Sequence, residues 1–294
     1  MRLYCCICSR AYARNMFEMK KFTLNLIIVA TVATLFFSCS GLGKVVKSGD
    51  PELIYQTALK LYRAEKWTRA SDMFEACQGY YVGSEREDSI AFFYARSKFK
   101  DRDYHEASLG FDEFRRKFGR SAFIEDAEGM YALCEYYMAP EPSRDQTLTA
   151  KAIVSLNNFM ERYPDSERNE AFRGIIEELT GRLHEKNFLN AYAYFKTEKY
   201  KSAVVAFRNA LKNYDETPYR EQIMYYIVVS NYRLAHNSVA EKQADRYLSM
   251  LDSYYSFIEE YKESKYSKEL ARYFKEAKDF IDKNKQNEES TQTE

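Results

Sequence analysis

The feature that most constrains this 294-residue chain is one pattern that occurs five times. In four copies an alanine, and in the fifth a methionine, is followed at +4, +7 and +11 by apolar or aromatic residues and at +14 by a hydroxyl. The copies begin at Ala70, Ala107, Ala152, Ala203 and Met250 and end at Ser84, Ser121, Ser166, Thr217 and Ser264. Offsets of 0, 4, 7 and 11 lie on one side of an α-helix. Each copy therefore predicts a helix with an apolar stripe, and its hydroxyl predicts the N-cap of the next helix.

A second pattern precedes the first and predicts the partner helix of each copy. Small residues lie 12 positions before the start of copies one, two and four, and 20 positions before copies three and five, as if eight residues had been inserted there; they are Ala58, Ala95, Ala191, Ala132 and Ser230. Bulky aromatics at Trp67, Tyr104 and Tyr200 stand three residues before three of the copies. Small residues at helix crossings and large ones at the turn are typical of tetratricopeptide (TPR) repeats. The sequence thus predicts an all-α solenoid of five TPR-like helix pairs.

The N-terminal segment has the composition of a secretory signal. Lys20 and Lys21 precede an apolar run that ends at Phe37, and Ser38 and Cys39 follow it. The run is shorter than the roughly 20 residues that a membrane-spanning helix needs, so we predict a signal peptide over 1–38. Residues 1–18 are interpreted as an upstream start-site artefact, because Met19 already begins a sufficient signal.

Boundary signals divide the remaining chain. We predict a lipidated tether over 39–50, an N-terminal lobe of repeats 1–3 over 51–166, a C-terminal lobe of repeats 4–5 and a capping helix over 167–284, and a disordered tail over 285–294. The capping helix is predicted from Ser267 to about Lys283. Asp50 and Pro51 suit the N-cap and first position of a helix, and Ser84 and Glu87 suit a capping box.

Charge and cysteine content narrow the possible functions. Without residues 1–38 the chain carries 39 basic and 43 acidic side chains, which argues against a nucleic-acid-binding surface. Cys77 occupies a packing position and is predicted to be a buried thiol. A disulfide between Cys77 and Cys134 remains an alternative, because the secretory signal implies an oxidising compartment.

No residue pattern indicates catalysis, a cofactor or a metal site. The three histidines are scattered over different repeats, and the chain has neither a nucleophile motif nor a phosphate-binding glycine loop. Binding is the remaining function, and the candidates are rings and cations that end the first helices of repeats one to three: Tyr62, Arg63, Phe99, Lys100, Tyr136 and Tyr137. Such a set suits an extended peptide with aromatic side chains and a free carboxylate. The alternative interpretation is that the rings pack between repeats.

The N-terminus and the repeats together resemble one family. Leu35-Phe36-Phe37-Ser38 followed by Cys39 resembles a bacterial lipobox, and helix ends such as Tyr163-Pro164-Asp165-Ser166 accompany the TPR-like pairs. In this combination the chain resembles the BamD family of outer-membrane protein assembly lipoproteins. The resemblance implies cleavage before Cys39 and lipidation of that residue. A plain signal peptide with an incidental cysteine is the alternative.

The same resemblance implies a function. A family member is expected to be a non-enzymatic subunit of the β-barrel assembly machine, anchored by lipid at the periplasmic face of the outer membrane. Its N-terminal repeats are expected to receive signals on unfolded barrel proteins, and its C-terminal repeats to hold the POTRA region of the barrel subunit. The inserted residues and the tyrosine-rich segment Tyr247 to Tyr266 depart from the family pattern. Another periplasmic TPR adaptor, serving cell-wall synthesis or division, is the alternative function, and an enzyme or glycan binder on a TPR scaffold is a third.

Overall fold

Only α-helices, with one short 3₁₀ turn, form the regular structure of the described residues. The computed structural model describes residues 40–291 and the side chains of 41–286, so the predicted signal peptide and Cys39 lie outside the described residues. The helices are α1 (Ser40–Lys47), α2 (Pro51–Arg63), α3 (Trp67–Gln78), α4 (Glu87–Lys100), α5 (Tyr104–Lys117), α6 (Ile124–Met138), α7 (Thr147–Arg162), α8 (Asn169–Lys196), α9 (Tyr200–Asn213), α10 (Arg220–His236), α11 (Ala240–Glu260) and α12 (Ser267–Thr291). The predicted all-α class is confirmed, and α2 to α11 form the five predicted pairs, with α12 after them.

Burial follows the repeated pattern closely. The residues that start the five copies are all completely buried. The small residues of the preceding helices are at most 1% exposed. Small side chains at these positions let the two helix backbones approach closely, which is how a TPR-like pair packs. The chain divides into two compact units, one ending at Ile124 and the other beginning at Glu125. The predicted lobe boundary after Ser166 concerns repeats rather than these units and stays a prediction.

The first unit contains α1 to α5 around an aromatic core. Phe74 and Ile90 lie in the buried cluster of α2, α3 and α4. The ring of Phe92 stacks on Phe123 at 4.7 Å between centroids. Leu42 of α1 packs against the buried cluster of α2, α3 and α4. Part of the segment predicted as a tether is therefore helical, because its leucine and valine can bury against the unit.

Tight turns join the two helices of pairs one, two and four. One residue of each turn has a left-handed backbone, namely Glu65, Arg102 and Glu198, with φ of 55°, 65° and 59°. At the first turn the amide of Lys66 donates to the carbonyl of Leu61 at 3.0 Å, and the amide of Glu65 donates to the carbonyl of Tyr62 at 3.0 Å. This is a Schellman cap, in which glycine is the residue that normally takes the left-handed position.

The second unit contains α6 to α12 and three buried clusters. Leu156 and Phe172 lie in the first, Phe207 and Ile223 in the second, and Met250 in the third. The inserted residues predicted in pairs three and five take different forms. In pair three they make the loop between α6 and α7, whereas in pair five they lengthen α11 to 21 residues.

The capping helix is longer than predicted. α12 ends at Thr291, beyond the predicted end near Lys283. The extra residues include lysine, glutamine and glutamate, which have good helix propensity, and contain neither glycine nor proline. Residues 292–294 of the predicted disordered tail lie outside the described residues.

The helices that follow the hydroxyls at +14 begin two residues later than predicted. Each next helix begins three residues after the hydroxyl, as Ser264 and Ser267 illustrate. In every break the hydroxyl oxygen accepts the amide two residues later, at 3.0 to 3.4 Å. The predicted N-cap position was therefore wrong, but each hydroxyl accepts a backbone amide near the helix start, as predicted.

The predicted capping box of Ser84 and Glu87 was also wrong, because the carboxylate of Glu87 accepts the amide of Gly83 instead. The Asp50 cap is confirmed, with its Oδ1 accepting the amides of Glu52 and Leu53.

Three of these hydroxyls also donate to a carboxylate near the start of an earlier first helix. Ser121 donates to Asp88 at 2.7 Å, Ser166 to Glu125 at 2.7 Å, and Ser264 to Glu221 at 2.6 Å. Each of these carboxylates is the second residue of its helix, a position where an acidic side chain also interacts favourably with the helix dipole. Within the second unit, hydroxyl and carboxylate thus connect the starts of α6 and α8 and of α10 and α12.

Candidate functional site

Tyr62 is part of the packing between helices. Its ring lies 5.2 Å from that of Trp67, 6.3 Å from Phe74 and 5.1 Å from Phe93, measured between centroids. Burial raises the pKa of the Tyr62 phenol above its ordinary value, and the nearby charge of Arg96 partly opposes this. The ring therefore faces the junction of α2, α3 and α4, and only part of its surface is exposed to solvent.

The terminal rings of three first helices share one contact. Tyr62 meets Trp67, Phe99 meets Tyr104, and Phe195 meets Tyr200, always five residues later. The centroid distances are 5.2, 5.4 and 5.8 Å, and the interplanar angles of 63° to 75° are edge-to-face. Edge-to-face pairs stabilise by about 0.5–1.5 kcal/mol beyond their buried area. Trp67 and Tyr104, two of the three aromatics predicted at the turns, thus contact candidate site rings.

The candidate cations remain accessible at the helix ends. Arg63 is the last residue of α2 and Lys100 the last residue of α4, and both are exposed. Cations in the last turn interact favourably with the negative end of the helix dipole. This placement explains their presence without a ligand, and it also leaves their charged groups available to one.

Tyr136 and Tyr137 belong to the second unit, where the long α6–α7 loop replaces the tight turn. The Tyr136 hydroxyl donates to Oε2 of Glu178 at 2.8 Å, and this hydrogen bond, with burial, raises the pKa of the phenol. Arg182 lies 5.8 Å from the Tyr136 ring and donates to the carbonyl of Ala139 at 3.0 Å. Tyr136 thus helps to hold the loop on α8, whereas Tyr137 is 50% exposed.

Sequence reasoning missed a tyrosine–glutamate ladder between α10 and α12. Tyr225 donates to Glu269 at 3.0 Å, and Tyr232 donates to Glu276. The phenols and the carboxylates are each seven residues apart, so two turns of one helix match two turns of the other. That equal spacing of tyrosines and glutamates was the signal in the sequence that could have found it.

The thiols of the described chain are poorly suited to nucleophilic chemistry. Cys77 and Cys134 are both buried and free, so the alternative of a disulfide between them does not occur. Burial raises the pKa of Cys77 to about 11, and burial also raises that of Cys134. Within residues 40–291 no cluster of three or more histidine, cysteine or acidic side chains could hold a metal ion.

No helix within residues 40–291 is both long and apolar enough to cross a bilayer. At the candidate site, exposed cations lie beside partly exposed rings, an arrangement that can bind a ligand.

Comparisons with known proteins identify a family and several similar proteins. The model of the family YfiO, described as an outer membrane lipoprotein, matches residues 47–247. The chain is 21% identical over 220 residues to the outer membrane protein assembly factor BamD of Caulobacter vibrioides, covering 74% of this chain and 72% of that protein. It is 24% identical over 231 residues to the putative outer membrane protein assembly factor BamD of Aquifex aeolicus, covering 78% and 72%. A third similar protein, the BamD of Helicobacter pylori, is 24% identical over 151 residues, or 51% of this chain and 69% of that protein.

Proposed function

The chain belongs to the YfiO family of outer membrane lipoproteins, and on this basis we propose that it is a non-enzymatic subunit of the machinery that assembles β-barrel proteins in the outer membrane. The observation that carries the proposal is the family match over 47–247, which spans α2 to α10 and thus most of the helix pairs. Three similar proteins named as outer membrane protein assembly factors support it.

Lipid attached to Cys39 is the proposed anchor, on the periplasmic face of the outer membrane. Cys39 is outside the described residues, but α1 begins at the next residue, Ser40. Leu42 and Val45 of α1 pack on the core of the first unit. A lipid on Cys39 would therefore hold the first unit close to the bilayer. Cys39→Ala should move the protein from the membrane fraction to the soluble periplasm, and continued membrane attachment of this variant would contradict the anchor.

The proposed ligands are unfolded barrel proteins and a partner subunit with POTRA domains. In the first unit, Arg63 and Lys100 carry exposed cations at the ends of successive first helices. A guanidinium or ammonium group binds a carboxylate through charge-assisted hydrogen bonds. We expect these cations to bind the C-terminal carboxylate of an unfolded chain, while the partly exposed rings of Tyr62 and Phe99 contact its aromatic side chains.

Affinity purification from membranes tests the subunit assignment. The lipidated protein should co-purify with a POTRA-bearing barrel protein, and its depletion should lower the amount of folded barrel proteins in the outer membrane. Normal barrel levels after depletion, or co-purification with cell-wall enzymes instead, would contradict the assignment and favour a different periplasmic adaptor.

Titration with a matched pair of peptides tests the carboxylate contact. One peptide ends in a free carboxylate after an aromatic residue, and its control differs only by C-terminal amidation. The free acid should bind more tightly, and Arg63→Gln with Lys100→Gln should remove that difference. If amidation leaves the affinity of the unmodified protein unchanged, the carboxylate contact is refuted.

A further inference from the structure

A separate groove of the first unit lies between α3 and α5, over α4. It is a cavity of about 380 Å³. Each helix contributes one stripe at helical spacing, including Glu75 from α3, Tyr94 from α4, and Glu113 and Phe114 from α5. The helix-end candidates Tyr62, Arg63, Phe99 and Lys100 do not line it. We call this cavity the α3–α5 groove.

Acidic groups predominate in the α3–α5 groove. Its lining contains three carboxylates, Glu75, Glu87 and Glu113, and one ammonium group, that of Lys117. Lys117 is already engaged, because its Nζ lies 2.5 Å from Oε1 of Glu87. Glu75 and Glu113 both line the groove and are exposed.

Glu75 of the groove also acts on the phenol of Tyr94. Burial, followed by the charges of Glu75 and Glu106, raises the pKa of Tyr94. Lys98 of the same helix places its Nζ 5.7 Å from the centre of the Tyr94 ring. The surroundings of this ring therefore favour a cation, and the chain already supplies one at its edge.

The walls of the groove complement the rest of a long basic side chain. Tyr94 and Phe118 are partly exposed and supply aromatic surface, and exposed Val82 continues this surface at the rim. The methylene stems of arginine and lysine bury against apolar surface while their charged ends stay near carboxylates. We propose that the α3–α5 groove binds an arginine- or lysine-bearing segment of a partner protein, with the charged end between Glu75 and Glu113.

Gly79 at the edge of the groove allows the site to be blocked without strain. Its backbone is helical, with φ of −63° and ψ of −26°. A Cβ added there would meet no atom within 4 Å. Gly79→Lys therefore adds a competing ammonium group at the groove, and Gly79→Ala is its matched control.

Fluorescence anisotropy of the full-length protein with a labelled probe tests the proposal. The probe is a short glycine- and serine-rich peptide with two arginines, and its control carries uncharged citrulline at both positions. Glu75→Gln with Glu113→Gln, and separately Gly79→Lys, should each weaken arginine-peptide binding by about tenfold, as expected for lost charge-assisted hydrogen bonds. Gly79→Ala should leave the affinity unchanged. So should Glu161→Gln with Glu167→Gln, which removes two exposed carboxylates from the second unit.

Any one of three outcomes would overturn the proposal. These are equal binding of the citrulline peptide, equal losses in the Glu161 and Glu167 control, or unchanged affinity in the Gly79→Lys variant. Circular dichroism melting curves that match the unmodified protein show that the variants are folded. Failure of arginine-peptide binding would leave the helix-end carboxylate test unaffected, because the two sites share no residue.

Discussion

Replacement of Tyr62 separates a packing role from a binding role. Truncation of a fully buried large aromatic side chain to alanine costs about 3–5 kcal/mol. Tyr62 is half-buried but meets three rings, Trp67, Phe74 and Phe93. We therefore expect Tyr62→Ala to lower the free energy of unfolding by about 2 kcal/mol, which is a fall of roughly 10 °C in Tm for a unit of this size. Tyr62→Phe keeps the ring and should cost less than about 0.5 kcal/mol.

Thermal unfolding followed by circular dichroism measures these differences, and Arg63→Ala is the matched control. Arg63 is the exposed neighbour of Tyr62, so its truncation should leave Tm unchanged within about 2 °C. The aromatic C-terminal peptide is then titrated into each variant below its Tm. A Tyr62→Ala variant that melts like the unmodified protein would refute the packing argument. Loss of peptide affinity at unchanged Tm would instead assign the ring to binding.

Four further results are expected. Ser230→Ala should raise Tm in a thermal melt, because the buried Ser230 hydroxyl has no hydrogen-bond partner within the described residues and leaving such a group unpaired costs about 1–3 kcal/mol; a lower Tm would contradict this. Glu198→Gly should stabilise by about 0.5–1 kcal/mol in urea unfolding, because glycine takes a left-handed backbone without strain; destabilisation would show that the Glu198 side chain matters more. The hydrogen bond from Arg220 lowers the pKa of the Glu260 carboxyl group in the folded protein. The stabilisation that this pair contributes is therefore present above the unfolded pKa of about 4.5, and it is lost as the pH falls through the lower folded pKa. Arg220→Gln should flatten the acid limb of a urea-midpoint profile, and an unchanged limb would exclude this pair as its source. Cys77, whose pKa burial raises to about 11, should resist a thiol reagent at about pH 8 until denaturant is added; fast native labelling would contradict the burial.

Local pattern predicted the fold well, because helical periodicity and small crossing residues are local properties. Ala58 and Ala70 are completely buried, as their spacing indicated. The exact start of each helix was harder to predict. Ser264 was expected to be an N-cap, but its hydroxyl also donates to Glu221. A carboxylate 43 residues away in the sequence cannot be recognised as a partner from local propensity alone.

The candidate site was predictable only in part for the same reason. The sequence located Tyr62 and Tyr136 at helix ends but gave no information on what their rings contact. Tyr62 contacts rings of α3 and α4, whereas Tyr136 donates to Glu178 of α8. The α3–α5 groove escaped sequence reasoning entirely, since Glu75 and Glu113 look like ordinary solvent-exposed acids until three helices bring them to one cavity.

The sequence by itself determined the helix pairs, their order and the residues that each helix buries. These depend on a period of 3.6 residues and on side-chain size, both of which are written along the chain. Only the tertiary structure decided which rings pack and which carboxylates share a cavity. Those outcomes depend on distances between atoms of separate helices, and such distances are set by how the pairs pack against one another.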